Sequence, residues 1–200
     1  MEAANINIDD ATLVEKCRQG DSEAIGHLIL KYQDRIYNVI LRICGNYDDA
    51  AELTQETFVK VIENINRFQG RSSFYTWAFR IAVNLTLNLR KRNIKLAVRS
   101  LEAQDSEAGE QKKQLLKDFL RDDSACDPAG LAQSRELCEF AVKALMRLDD
   151  AQRTVVVLRD IEGMNYAQIA GVLNVQIGTV RSRLSRARGN LRDIMEAFLQ

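Results

Sequence analysis

YAQIAGVLNVQIGTVRSRLSRAR, from Tyr166 to Arg188, decides the reading of this chain. It divides into a helix, a tight turn and a second, strongly basic helix. On the second helix Ile177, Val180, Leu184, Ala187 and Leu191 recur every three or four residues and form one apolar stripe. At about 100° per residue, Gly178, Ser182, Ser185, Arg186 and Gly189 fall opposite that stripe, flanked by Thr179 and Arg181. Small residues let a backbone approach closely, and arginines reach guanine edges or phosphates. The combination suits a recognition helix in a DNA major groove. Patterns of this kind also arise by chance, so the stretch alone supports DNA binding and nothing finer.

Charge along the rest of the chain is segregated, although the net formal charge is zero. Residues 1–66 hold 6 basic and 12 acidic residues, and residues 67–92 hold 6 basic and no acidic ones. Residues 93–128 hold 6 and 8, and residues 129–200 hold 10 and 8. Two basic segments fit an extended polyanion touched at two places, and an acidic segment fits a basic protein partner. A charge run is ordinarily a solvated face. A block of 26 residues without one acid makes that explanation weaker here.

The second basic segment is RFQGRSSFYTWAFRIAVN, Arg67 to Asn84. Aromatics interleaved with arginines and hydroxyls suit single-stranded nucleic acid, whose bases stack on aromatic faces while arginines follow the backbone. Phe74, Trp77 and Ile81 sit at helical spacing, which favours core packing for Phe74 and Trp77. Gln69, Ser72, Ser73, Asn84, Arg71 and Arg80 are the better candidates for contact. In Asp48 to Phe58, the polar Asp48, Glu52, Gln55 and Glu56 share one helix face. On helix physics alone that face is a solvated one.

The periodicity predicts an all-α chain: two small helical domains on a flexible linker, the second ending in the helix-turn-helix. Asp10 and Asp21 are placed to cap helices ending near Gly20 and Gly45. Asp48 starts a third, with Leu53, Phe58, Val61, Ile62 and Ile65 inward, and Ser72 or Ser73 a fourth, through Trp77, Ile81 and Leu85. Residues 97–127 have thin apolar periodicity and read as linker, with Gln114–Leu120 a transient helix. Asp127–Pro128 reads as a cap followed by proline at the first helical position. The domain boundaries are therefore 1–95, 96–127 and 128–200.

Cys17, Cys44, Cys126 and Cys138 form no C-x-x-C pair and His27 is the only histidine, so no zinc motif arises and the thiols fit a reducing compartment. No metal or cofactor is expected. No apolar run reaches the ~20 residues of a membrane span. The acidic N-terminus lacks a signal-peptide core, and the chain reads as cytoplasmic.

Four stretches together resemble the extracytoplasmic-function (ECF) group of bacterial sigma factors. They are GDSEAIGHLILKYQDRIYNVI (Gly20–Ile40), DDAAELTQETFVKVIENINRFQG (Asp48–Gly70), SSFYTWAFRIAVN (Ser72–Asn84) and IGTVRSRLSRAR (Ile177–Arg188), in the family's order and spacing. The resemblance implies a subunit that directs core RNA polymerase to promoters and is not itself an enzyme. It implies that Asp48, Glu52, Leu53, Gln55, Glu56 and Phe58 bind core polymerase. Gln69, Arg71, Ser72, Ser73, Tyr75, Trp77, Arg80 and Asn84 would engage and melt the −10 element. Thr179, Arg181, Ser182, Ser185, Arg186 and Arg188 would read the −35 element. An anti-sigma factor is the implied restraining partner. Three positions depart from the family's habit: Glu52 for Asp, Gln168 for Glu, and Asn165 for a Ser or Thr cap. A conventional repressor using only the helix-turn-helix would leave the basic block and the acidic helix without a use. A nucleic-acid enzyme lacks a recognisable catalytic set.

Overall fold

A computed structural model describes residues 9–100 and 140–199, with side chains over 9–93 and 140–197. Every regular element among them is helical. The first half holds α1 (Asp10–Arg18), α2 (Ser22–Cys44), α3 (Tyr47–Asn64), a short 3-10 turn (Ile65–Arg67) and α4 (Phe74–Ser100). The second holds α5 (140–147), α6 (Asp150–Val156, continuing in a wider turn over Val157–Ile161), α7 (Tyr166–Leu173) and α8 (Ile177–Leu199).

Local chemistry sets the ends. Asp21 accepts hydrogen bonds from the Glu23 and Ala24 amides at 2.9 and 3.2 Å, closing the start of α2. Gly45 ends α2 with φ +75°, a left-handed turn that favours glycine. Two expected caps move. Asp9, not Asp10, precedes α1, which frees Asp10 to accept from Lys31 Nζ at 2.7 Å and from the Tyr32 hydroxyl, pinning α1 to α2. Asn46 caps α3 by accepting from the Asp49 amide at 2.9 Å, so the helix begins before Asp48. Ser73 caps α4, its hydroxyl accepting from the Thr76 amide at 3.1 Å.

The first half buries Leu28, Ile36, Val39 and Ile40 of α2 against Leu53, Phe58 and Val61 of α3 and Phe74, Ala78, Phe79, Ala82 and Val83 of α4. Ile62 was expected inward but is 40% exposed, because it lies on the edge of the α3 stripe. Trp77, Ile81 and Leu85 are half-buried; the core face of α4 is the neighbouring stripe.

In the second half Asp149 caps α6, accepting from the Gln152 amide at 2.8 Å. The helix then widens to i→i+5 bonding, with the Glu162 amide donating to the Val157 carbonyl at 3.0 Å. Asn165 and Gln168 form a reciprocal cap at the start of α7, with bonds of 2.9 and 2.8 Å. Two of the three departures, Asn165 and Gln168, therefore serve one local purpose. Asn174 takes the turn at φ 52°. Val180, Leu184 and Ala187 of α8 are buried as the stripe predicts, whereas Ile177 is 43% exposed at its first position.

The halves share one core: α7 lies against α4, and both contribute to a continuous buried cluster. α4 runs to Ser100, past the expected boundary at residue 95. The rest of the expected linker, the Gln114–Leu120 helix and the Asp127–Pro128 cap lie outside the described residues.

Candidate polymerase and DNA interfaces

Three solvent-facing surfaces emerge from these elements. On α3, Asp48, Glu52, Gln55 and Glu56 are all exposed along one side. Helical spacing brings them together, and burial of the opposite stripe forces them outward. Leu53 and Phe58 lie beneath this face, 4% and 7% exposed, and set its position from the core.

The second surface is the loop from Phe68 to Ser73 and the start of α4. Aromatic packing anchors both ends of the loop. Phe68 meets Phe74 edge-on at 6.0 Å between centroids and lies 5.1 Å from Trp77, which is itself 6.0 Å from Phe74. The Arg18 guanidinium of α1 donates to the Phe68 carbonyl and braces the loop from the far side. Between these anchors Gln69, Arg71, Ser72 and Ser73 stand in solvent, and Gly70 makes the turn with φ +69°. A groove of about 330 Å³ runs beside the loop, lined by Lys60, Asn64, Arg67, Trp77, Asn84 and Asn88 among others. Trp77 presents an aromatic wall there, ringed by amide and cationic side chains. Lys60, Asn64, Arg67 and Asn88 are absent from the sequence-derived set. The i, i+4 pairing of Asn84 with Asn88 was the available signal, but their meeting with α3 depends on packing.

Arg80 and Asn84 are exposed on α4 as expected. Tyr75 departs from its group. It points to the second half, where its hydroxyl donates to Glu162 Oε2 at 2.6 Å. Burial, reinforced by that hydrogen bond, pushes its pKa well above the ordinary phenol value.

The third surface is the outer face of α8. Arg181, Ser182, Ser185, Arg186 and Arg188 are exposed and Thr179 is half-buried. The Ser182 hydroxyl donates to the Thr179 carbonyl at 3.0 Å. Arg188 donates to Asp160 Oδ1 at 2.6 Å, so its fork is oriented toward α6. The Arg181 and Arg159 guanidinium carbons stand 5.9 and 5.1 Å from the Tyr166 ring centre, so one aromatic ring steadies two cations.

Among the described residues no three His, Cys, Asp or Glu side chains gather as a metal site. No described helix is long and apolar enough to cross a membrane. Cys17 and Cys44 are buried free thiols. Burial pushes Cys44 up to about 11 and also raises Cys17.

These surfaces coincide with family-level matches. The Sigma-70 region 2 family matches residues 28–95, and Sigma-70, region 4 matches residues 141–191. The ECF RNA polymerase sigma-E factor of Escherichia coli (strain K12) is 31% identical over 185 residues, 90% of this chain and 91% of that protein. The RNA polymerase sigma-H factor of Pseudomonas aeruginosa is 34% identical over 193 residues, 96% of each. Two solved structures share the fold. The sigma factor RpoE of Bartonella quintana, in complex with the anti-sigma factor NepR, has a TM-score of 0.64 at 20% identity, over 86% of this chain and 96% of that one. CnrH, in complex with the cytosolic domain of CnrY, has a TM-score of 0.61 at 22% identity, over 94% and 97%. With both family regions in order on one helical chain, and relatives matched along nearly its whole length, the chain belongs to the ECF sigma factors of bacterial RNA polymerase.

Proposed function

We propose that this chain binds core RNA polymerase, directs it to promoters carrying −10 and −35 elements, and assists DNA opening. Residues 1–95 bind polymerase and melt the −10 element; residues 128–200 read the −35 element. The acidic face of α3 meets a basic surface of the polymerase. The Gln69–Ser73 loop and the Trp77 groove receive the opened strand, and the outer face of α8 enters the major groove. The observation that carries this reading is the separation of the three faces onto three elements, each exposed and each of the right charge. The chain needs no catalytic centre of its own, since nucleotide addition belongs to the polymerase, and it acts in the cytoplasm where that enzyme works. An anti-sigma factor restrains it, by analogy with NepR, the partner of the solved RpoE.

Adding the chain to core polymerase on a promoter library tests the proposal. Specific transcripts that need both the chain and core are expected. DNA binding without core and no initiation would instead indicate a conventional repressor.

A further inference from the structure

The main chain of the loop between the 3-10 turn and α4 rests on a single tertiary hydrogen bond. From Phe68 to Ser72, the described residues supply one bond from a distant element. It comes from Arg18, at the last turn of α1, whose guanidinium donates to the Phe68 carbonyl. The Phe68 amide turns back on the Ile65 carbonyl at 3.2 Å, and the Ser72 hydroxyl donates to the neighbouring Ser73 carbonyl at 3.3 Å, so both of those bonds are local. Packing adds nothing at the crest: a Cβ built on Gly70 would meet no atom within 4 Å. An open groove of about 730 Å³ separates α1 from the loop, lined by Val14, Glu15 and Arg18 on one side and Asn66, Phe68 and Gln69 on the other. Arg18 spans that groove.

Arg18 is itself held. Its Nη1 donates to Glu15 Oε2 at 3.0 Å, three residues back on α1, and its Nη2 is left for the carbonyl. A guanidinium stays charged at any physiological pH, and a charged donor bonds a carbonyl more strongly than a neutral one. The carbonyl belongs to Phe68, whose ring lies 5.1 Å from Trp77 and 6.0 Å from Phe74. One contact therefore fixes both the start of the loop and the aromatic wall of the groove beside it. Arg18 is not among the residues lining that Trp77 groove, and both its terminal nitrogens are engaged on the α1 side. It acts through the loop and not on a strand in the groove.

We propose that Arg18 is a positioning residue for promoter opening: it holds the Gln69–Ser73 loop in the form that receives the melted strand. The inference rests on the promoter reading above and adds to that site a residue from outside both of its elements. A receptive conformer populated only part of the time lowers the apparent affinity for its ligand by that fraction. The cost of ordering a free loop also subtracts from strand capture. Without the brace the loop is free to swing over the open groove, because nothing else among the described residues ties the main chain of Gln69, Gly70 or Arg71 down. Opening of the duplex should then weaken. Core binding through α3 and −35 reading through α8 should keep their strength, since Arg18 lies on neither helix.

Trp77 is the only tryptophan of the chain, so its fluorescence reports on the Phe68 end of the loop without any polymerase. Arg18→Met keeps the apolar stem and removes the donors, and Arg18→Lys restores a charged donor. Acrylamide quenching of Trp77 should rise in Arg18→Met and return toward wild type in Arg18→Lys, with helical content by circular dichroism unchanged in both. With core polymerase, Arg18→Met should lower permanganate reactivity of duplex promoters about tenfold, as for a loop receptive about one-tenth of the time. Arg18→Lys should recover most of that loss, and affinity for core should stay at the wild-type value throughout. The milder Glu15→Gln variant, which loosens the hold on the guanidinium, guards against misfolding and should shift both readings in the same direction and less. Quenching unmoved in Arg18→Met and Glu15→Gln, or wild-type duplex opening by Arg18→Met, would overturn the brace. The Arg71→Ala/Ser73→Ala variant separates the two claims. Normal duplex opening by that pair would count against the melting role of the loop itself, whereas a defect there beside normal opening by Arg18→Met would count against the brace alone.

Discussion

Glu56 stands on the solvent side of α3 with Glu52 and Gln55, one turn from the buried Leu53. Its position leaves the carboxylate for a partner. Glu56→Lys should weaken association with core polymerase by about tenfold or more, since a charge pair desolvated at an interface is lost and a like-charge contact replaces it. A titration against labelled core reads the loss, and unchanged affinity with intact helical content would remove the role. Cys44 is constrained in the opposite way. With its pKa pushed up to about 11, only about one thiol in a thousand is ionised at pH 8, and the thiolate is the reactive form. Alkylation of Cys44 in the native chain should therefore be slow at pH 8, quickening as pH rises toward 11 or on unfolding. Fast labelling at pH 8 with the fold intact would contradict the burial. Residue by residue, periodicity located the core well: Val180, Leu184, Ala187, Leu53 and Phe58 are buried where the stripes put them. It failed at Ile62 and Ile177, because a helical stripe tells which side a residue faces but not how far the neighbouring element extends over it.

The helices were legible where a side chain writes their ends. Asp21, Gly45 and Ser73 each terminate an element as their chemistry predicts. The widened turn at Val157–Ile161 was not, since no glycine or proline within Val157–Ile161 and no side-chain cap marks it. The loop between the 3-10 turn and α4 was legible in composition but not in support. The Arg18 brace comes from α1, fifty positions away in sequence. Its exposed members give a prediction about DNA opening. Arg71→Ala with Ser73→Ala should leave core binding and −35 preference intact while impairing opening of duplex promoters. A pre-melted bubble removes the unstacking cost of a few kcal/mol and should partly rescue the variant. Permanganate reactivity on duplex and bubble templates measures this. Normal opening on duplex, or an equal defect on the bubble, would show that the loop does not assist melting in this way.

At the scale of the whole molecule, the segregation of charge anticipated the separation of surfaces. Acids cluster on α3, the acid-free block forms the loop and α4, and the arginine run lines α8. What the sequence could not convey is how the halves meet. Arg153 donates to the Ile43 carbonyl across 110 positions, and neither residue carries a local mark of that pairing. The most direct measurement is initiation by the reconstituted polymerase on a promoter library randomised through both elements and the spacer. Two separated blocks of base preference should appear, upstream and downstream, each dependent on core. Arg181→Ala and Arg186→Ala should relax individual positions of the upstream block, by ~1–3 kcal/mol where an arginine is bidentate to guanine, and leave the downstream block unchanged. A single palindromic block bound without core, or base preferences unmoved by both substitutions, would contradict the division of promoter reading between the two halves.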